Sequence, residues 1–272
     1  MLALIDGDVI AYHACKSRYN ERDPVNMEVN ADTGRLRKIP KEFTMEQDAD
    51  YLCDSWDNYQ KQLQSVLDIV YAEDYLMAVK SAVNFRDELY PEYKKNRHKS
   101  DPRLANMFVP MLRDMAVQNG LALEAYGMEA DDCLRIWATQ AAAAGDDFII
   151  CSIDKDLKCI PGRHYNLKHN TFSTVSEFEA MKLFYEQLLK GDSSDNIPGL
   201  PGIGDVRAAK MLEGCETEDE MQEAIVLGYL AAFPDDWYNH IQINGKLLYL
   251  KKTVDDYFTC RPWSIVDIML AA

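Results

Sequence analysis

Positive charge, paired cysteines and long apolar runs are all scarce in this chain of 272 residues. Lysine and arginine number 29 against 45 aspartates and glutamates, a formal charge of −16 at pH 7. Such a balance argues against a broad nucleic-acid-binding surface, because phosphate contacts are carried mainly by lysine and arginine. Any such contact must then come from a local basic patch. The seven cysteines (Cys15, Cys53, Cys133, Cys151, Cys159, Cys215, Cys260) contain no CxxC pair, and the five histidines show no zinc spacing. The odd count and irregular spacing suit reduced thiols in a cytoplasmic protein. No apolar run approaches the roughly 18 residues that a membrane span needs. Met1–Ile5 carries no basic residue and meets Asp6 early, so a first strand is expected there rather than a signal peptide. No internal repeat or low-complexity tract is visible.

What the chain does contain is an alternation of apolar strands and amphipathic helices. Strands are expected at Leu2–Ile5, Tyr75–Val79, Leu121–Ala125 and Asp147–Ile153. Helices are expected at Val9–Arg18, Ala49–Tyr71, Leu104–Gln118 and Glu129–Ala144, and residues 20–45 read as a loop or small hairpin. That alternation implies an α/β fold with a mostly parallel central sheet. After about residue 176 helices dominate: Ser176–Lys190, Val206–Leu212, Glu218–Ala232 and a further C-terminal run. Two units are expected, 1–175 and 176–272.

Acidic residues recur where strands end. Asp6 follows the first strand in "LIDGD", Asp154 and Asp156 follow another in "CSIDKD", and Glu129, Asp131 and Asp132 open a helix in "MEADD". Strand ends in an open α/β sheet converge on one crevice. Asp192 and Asp195, in "GDSSDNIPGLPGIG", bring the number of such carboxylates to eight. Each motif alone also reads as a cap or a turn. Together, packed carboxylates repel unless cations join them, and hard oxygen ligands suit Mg²⁺ or Mn²⁺. A pair of such ions about 4 Å apart serves phosphoryl chemistry. Between Lys94 and Arg103 the charge reverses, with five basic residues and one acid. Tyr93 stands beside Lys94, a combination that suits a base on the ring and phosphates on the cations, although a solvated helical face gives the same pattern.

In this order the motifs resemble the structure-specific 5′ nuclease family, the flap endonucleases and 5′–3′ exonucleases, especially the short phage-encoded ones. The resemblance implies a PIN-like domain with a basic helical arch near 85–103 and a helix-hairpin-helix near 191–212. It implies 5′–3′ exonuclease or flap endonuclease action on DNA with a 5′ end, flap or nick, and possible use of RNA–DNA hybrids. Asp6, Glu129 and Asp131 would serve one metal ion, with Asp132 in support; Asp154, Asp156, Asp192 and Asp195 would serve a second. Lys94 and Arg97 would act on the scissile phosphate, and Tyr93 would stack near the unpaired 5′ end. Lys95 and the hairpin glycines Gly199, Gly202 and Gly204 would contact DNA, with K⁺ at the hairpin. One departure stands out: Lys80 and Ser81 occupy the place where the family carries an aspartate. Asp8 is expected to cap the first helix. Two rival readings remain. One is a haloacid-dehalogenase-type phosphatase, on "DGDVI" with Asp6 as nucleophile and Asp8 as acid/base. The other is a catalytically weakened DNA-binding homologue.

Overall fold

The computed structural model describes residues 1–22, 26–29, 34, 36–39, 45–97 and 107–260. The chain opens with β1 (Leu2–Asp6) and α1 (Gly7–Arg22), then a small hairpin of β2 (Asn26–Val29) and β3 (Leu36–Ile39). There follow α2 (Met45–Val70), β4 (Asp74–Asn84), α3 (Phe85–Leu89), α4 (Val109–Gln118), β5 (Leu123–Gly127), α5 (Ala130–Ala144) and β6 (Phe148–Ser152). A 3₁₀ turn at Asp156–Cys159 leads to the hairpin β7 (Gly162–Asn166) and β8 (Thr171–Val175). The rest is α6 (Glu177–Lys190), two-residue strands β9 (Gly191–Asp192) and β10 (Ile197–Pro198), α7 (Asp205–Met211), α8 (Glu218–Ala232) and α9 (Trp237–Leu248).

Six strands form one sheet in the order β5-β4-β1-β6-β7-β8. All neighbours run parallel except β7 and β8, as the α/β reading requires. Ala3, Leu4 and Ile5 in β1 are 0 % exposed, because both faces of the central strand are covered. One face packs on α1, α2 and α4 through Ile10, Tyr59, Leu63, Val79 and Leu112. The other packs on α5 through Leu4, Ala78, Leu134 and Ile150. A separate apolar cluster joins α6, α7, α8 and α9 through Leu188, Leu212, Ile225 and Ile241. Gly7 lets α1 start hard against β4: a Cβ there would meet Val79 Cγ1 at 2.7 Å and the Ala78 carbonyl at 2.8 Å.

Three elements differ from expectation. The fourth strand runs on to Asn84, with a register shift against β5 between Lys80 and Asn84. The fifth starts two residues late, because the N–H groups of Leu121 and Ala122 close the end of α4 on the Ala116 carbonyl. The β7–β8 hairpin was not anticipated. Of the expected arch, residues 85–97 form α3 and a series of turns, and 98–103 lie outside the described residues, as does the expected start of α4 at Leu104. Among the described residues no helix is long and apolar enough to cross a membrane.

Candidate active site

The carboxyl ends of β1, β4, β5 and β6 face one side, and a cavity of about 660 Å³ opens there. Seven of the eight predicted acids line it: Asp6, Glu129, Asp131, Asp154, Asp156, Asp192 and Asp195. Each is positioned by its own neighbourhood. Asp6 Oδ1 accepts the Asp8 N–H at 3.2 Å and its Oδ2 accepts the Ser152 hydroxyl at 2.8 Å. Asp154 Oδ1 accepts the Asp156 N–H, and Asp156 accepts the Gln187 amide at 2.6 Å from α6. Asp192 accepts both the hydroxyl and the N–H of Ser194, at 2.6 and 2.8 Å.

Lys94 and Arg97 reach the same cavity. Lys94 Nζ lies 2.5 Å from Glu129 Oε1 and 3.5 Å from Asp195 Oδ2. Arg97 pairs with Asp195 Oδ1. The basic segment is also tied to the hairpin loop by main chain. The Lys94 N–H donates to the Asp195 carbonyl at 2.9 Å. Asn96 Nδ2 donates to the Ser193 carbonyl at 2.6 Å, and Asn196 Nδ2 returns a bond to the Glu92 carbonyl at 2.8 Å. Lys94 adopts a left-handed backbone, φ 57°, a conformation that costs about 1 kcal/mol or more unless its surroundings enforce it.

The electrostatics divide the acids into two sets. Burial pushes Glu129 up, but Lys94, Arg86 and the Tyr93 hydroxyl outweigh it and hold the group below its ordinary value. For Asp192 the bonds from Ser194 outweigh burial in the same direction. For Asp6 and Asp131 the balance is the other way: burial and neighbouring carboxylates raise both, and the Ser152 bond to Asp6 and the Lys94 charge near Asp131 offset only part of it. Burial, with repulsion from Asp154 and Asp192, lifts Asp156 to about 6. With Lys94 and Arg97 drawn onto Glu129 and Asp195, no three acidic, histidine or cysteine groups among the described residues already converge on one point. The donor set nevertheless fits a hard divalent cation: all oxygen, anionic, and partly held protonated for want of a counter-charge.

The remaining predicted residues fall elsewhere. Asp132 turns away from the cavity and is 0 % exposed. It holds Arg86 at 2.5 and 3.0 Å and accepts the N–H groups of Glu129 and Lys251. Successive helical residues diverge by about 100°, so only one of the pair Asp131–Asp132 can face the acids. Tyr93 is 5 % exposed. Its hydroxyl donates to Glu129 Oε2 at 2.9 Å and lies 3.2 Å from Asp195 Oδ2, so the ring offers no free face for the expected stacking. Lys95 is exposed and pairs with Glu92. Gly199 packs against the chain itself: a Cβ would stand 2.1 Å from the Lys190 carbonyl carbon. Gly202 and Gly204 lie on the open turn before α7, where a Cβ on Gly204 would meet nothing within 4 Å. Asp8 does not cap α1, a task that falls to Asp6; its Oδ1 accepts the Lys80 N–H at 3.1 Å and lies 2.6 Å from Arg113 Nε. Ser81 is buried and its hydroxyl accepts the Val83 N–H, so β4 contributes Lys80, and no carboxylate, to the cavity wall. Sequence reasoning missed Arg86 and Arg113, which share that wall with Asp8.

Comparison with known proteins finds nuclease relatives. The family model of the 5′-3′ exonuclease, N-terminal resolvase-like domain, matches residues 56–185. The flap endonuclease Xni of Shewanella piezotolerans is 34 % identical over 144 residues, 49 % of this chain and 55 % of that protein. DNA polymerase I of Rhizobium leguminosarum is 37 % identical over 142 residues, 49 % of this chain and 14 % of that one. A 5′-3′ exonuclease of Buchnera aphidicola is 32 % identical over 158 residues, 54 % of this chain and 53 % of that protein. The chain therefore spans about half the length, or less, of these relatives. The T5 D15 protein, co-crystallized with metal ions, shares the fold at a TM-score of 0.59 and 17 % identity, covering 91 % of this chain and 85 % of that one. None of these points to a phosphatase. Over residues 56–185 the chain is thus similar to the flap endonuclease and 5′–3′ exonuclease family.

Proposed function

We propose that this chain is a divalent-metal-dependent 5′–3′ exonuclease and flap endonuclease that hydrolyses phosphodiesters at or near the 5′ ends of duplex DNA. The observation that carries the reading is the cavity where eight carboxylates, Asp8 among them, meet Lys94 and Arg97. Asp6, Glu129 and Asp131 would hold one Mg²⁺ or Mn²⁺, and Asp154, Asp156, Asp192 and Asp195 a second. Such ions, when bound, supply charge that activates water and steadies the leaving oxygen. The chain's own residues do the rest. Ser152 and Gln187 orient Asp6 and Asp156. Lys94 and Arg97 offer cations to a phosphate that developing charge makes more anionic. Asp132 holds Glu129 by its N–H and so acts as a positioning residue.

The turn at Gly202–Gly204 between α6 and α7 offers exposed backbone to a duplex, with K⁺ as its expected companion, and the exposed Lys95 is a further cation for DNA. A division near residue 175 fits the separate apolar cluster of α6–α9. T5 D15 flap endonuclease has been crystallized in a pseudo-enzyme-product complex with DNA and metal ions, which supports DNA as the substrate here. RNA–DNA hybrids are a second candidate substrate. That no disulfide joins any of the seven cysteines suits a cytoplasmic setting. The test is cleavage of end-labelled flap, nicked, blunt and RNA–DNA hybrid substrates with Mg²⁺, Mn²⁺ or EDTA. Cleavage of flapped or blunt DNA that EDTA stops is expected. DNA binding without cleavage under either ion would favour the weakened homologue and overturn the proposal.

A further inference from the structure

A second cavity, of about 490 Å³, lies between α1, α2 and the β7–β8 hairpin, and shares Val9 and His13 with the acidic one. Its size falls within the range of about 300–1,000 Å³ common to small-molecule sites. Its chemistry is the reverse of its neighbour's. His13 and Lys16 sit one turn apart on α1, and among the described residues no carboxylate lines the wall. Burial, with the charges of Lys16 and Lys168, holds the His13 imidazole below its ordinary value. Lys168 stands on a turn that Asn166 fixes, its Oδ1 accepting the N–H groups of Lys168 and His169 at 3.0 and 2.9 Å. Asn170 Oδ1 accepts the Tyr165 hydroxyl at 2.8 Å, which leaves its amide nitrogen as a donor. Gln62 and Ser65 add polar groups from α2, while Val66 and Ile69 make an apolar strip beside them.

We propose that this side cavity binds a 5′-phosphorylated mononucleotide, its phosphate against His13 and Lys16 in the field of Lys168 and its base along Val66 and Ile69 within reach of Gln62 and Asn170. The cations answer the phosphate and the amides answer the polar edge of a base. The inference rests on the nuclease reading only for the origin of the ligand: hydrolysis next door would release a nucleotide at the shared wall of Val9 and His13.

Calorimetric titration of the whole chain with deoxyadenosine monophosphate in EDTA tests the site directly. Without divalent ions the acidic cavity repels phosphate, so the heat reads the side cavity. Saturable binding is expected, weakened by about tenfold or more in Lys16→Glu, where a repulsive charge replaces an attractive one. Ile69→Glu should weaken it too, and Ile69 is 40 % exposed, so this variant tests the base-binding wall with little risk to folding. Deoxyadenosine and inorganic phosphate should each bind more weakly than the nucleotide. No binding, binding unchanged in Lys16→Glu, or phosphate binding as well as the nucleotide would overturn the proposal. A cleavage assay with Mg²⁺ separates the two readings. Cleavage without nucleotide binding sinks only the side site, and binding without cleavage sinks only the nuclease.

Discussion

Asp132→Ala removes a carboxylate that lies beneath the acidic cavity rather than in it. Asp132 and Arg86 are 0 % and 1 % exposed. Alanine would leave the guanidinium buried without its counter-charge, and the N–H groups of Glu129 and Lys251 without this acceptor. Arg86 would keep only the carbonyls of Leu247 and Tyr249. Breaking one partner of such a buried pair costs about 3–5 kcal/mol, against a total stability of about 5–15 kcal/mol. At about 2–4 °C per kcal/mol for a chain of this size, the thermal midpoint should drop by roughly 10 °C. Scanning calorimetry reads the drop, and urea titration checks it at constant temperature. The double variant Arg86→Met/Asp132→Leu should recover much of the loss, because no charge is then left buried without a partner. A midpoint within about 2 °C of wild type for Asp132→Ala, or a double variant worse than both single ones, would refute the argument.

Asp154→Ala should cut cleavage by at least about a hundredfold yet leave DNA affinity in a gel-shift assay unchanged; near-normal turnover would mean that the catalytic centre is misplaced. Lys94→Ala should slow single-turnover cleavage by about 100- to 1,000-fold, with less effect on binding. Gly199→Ala forces a Cβ into the backbone of Lys190 and Gly191 and should cost about 1–3 kcal/mol or more in chemical denaturation. The pH dependence follows from Asp156, whose folded value of about 6 lies above the ordinary 3.8. It binds its proton more tightly when folded, so its contribution to stability falls as pH rises between those values and is flat above them. Asp6 and Asp131 act in the same sense, while His13 and His164, both lowered, act in the opposite one. Relative to wild type, Asp156→Asn should therefore gain melting temperature in EDTA as pH rises from 3.8 to about 6; a difference that stays constant across that window would contradict the assignment.

Most of the acidic cavity was legible because its members follow apolar strands whose ends must meet in a parallel sheet. Asp132 could have been separated from Asp131 by helix geometry alone. Arg86 could not: in "NFRDELYPEYKKNR" it looks like one more basic residue, and its burial depends on Asp132 and on the carbonyls of Leu247 and Tyr249, 161 and 163 positions away. Tyr93 was misread for the same reason. An aromatic beside a lysine carries no mark of whether its ring meets solvent or, as here, packs with Ile197 and Leu247. The β7–β8 hairpin was hidden by its turn, Leu167-Lys168-His169, which contains neither glycine nor proline. Its order comes instead from Asn166, and Asn170 takes the left-handed conformation.

The bonds from Lys94 and Asn96 across to the loop at 193–196, and from Asn196 back to Glu92, have a mechanical consequence. Residues 92–97 and 193–196 are distant in sequence but riveted into one plate, with the turn at Gly202–Gly204 only a few residues downstream. A duplex seated on that turn could not slide without dragging the same plate, and with it the Lys94 ammonium. Grip and chemistry would then share one moving part, so that a slipped substrate takes its own catalyst out of line.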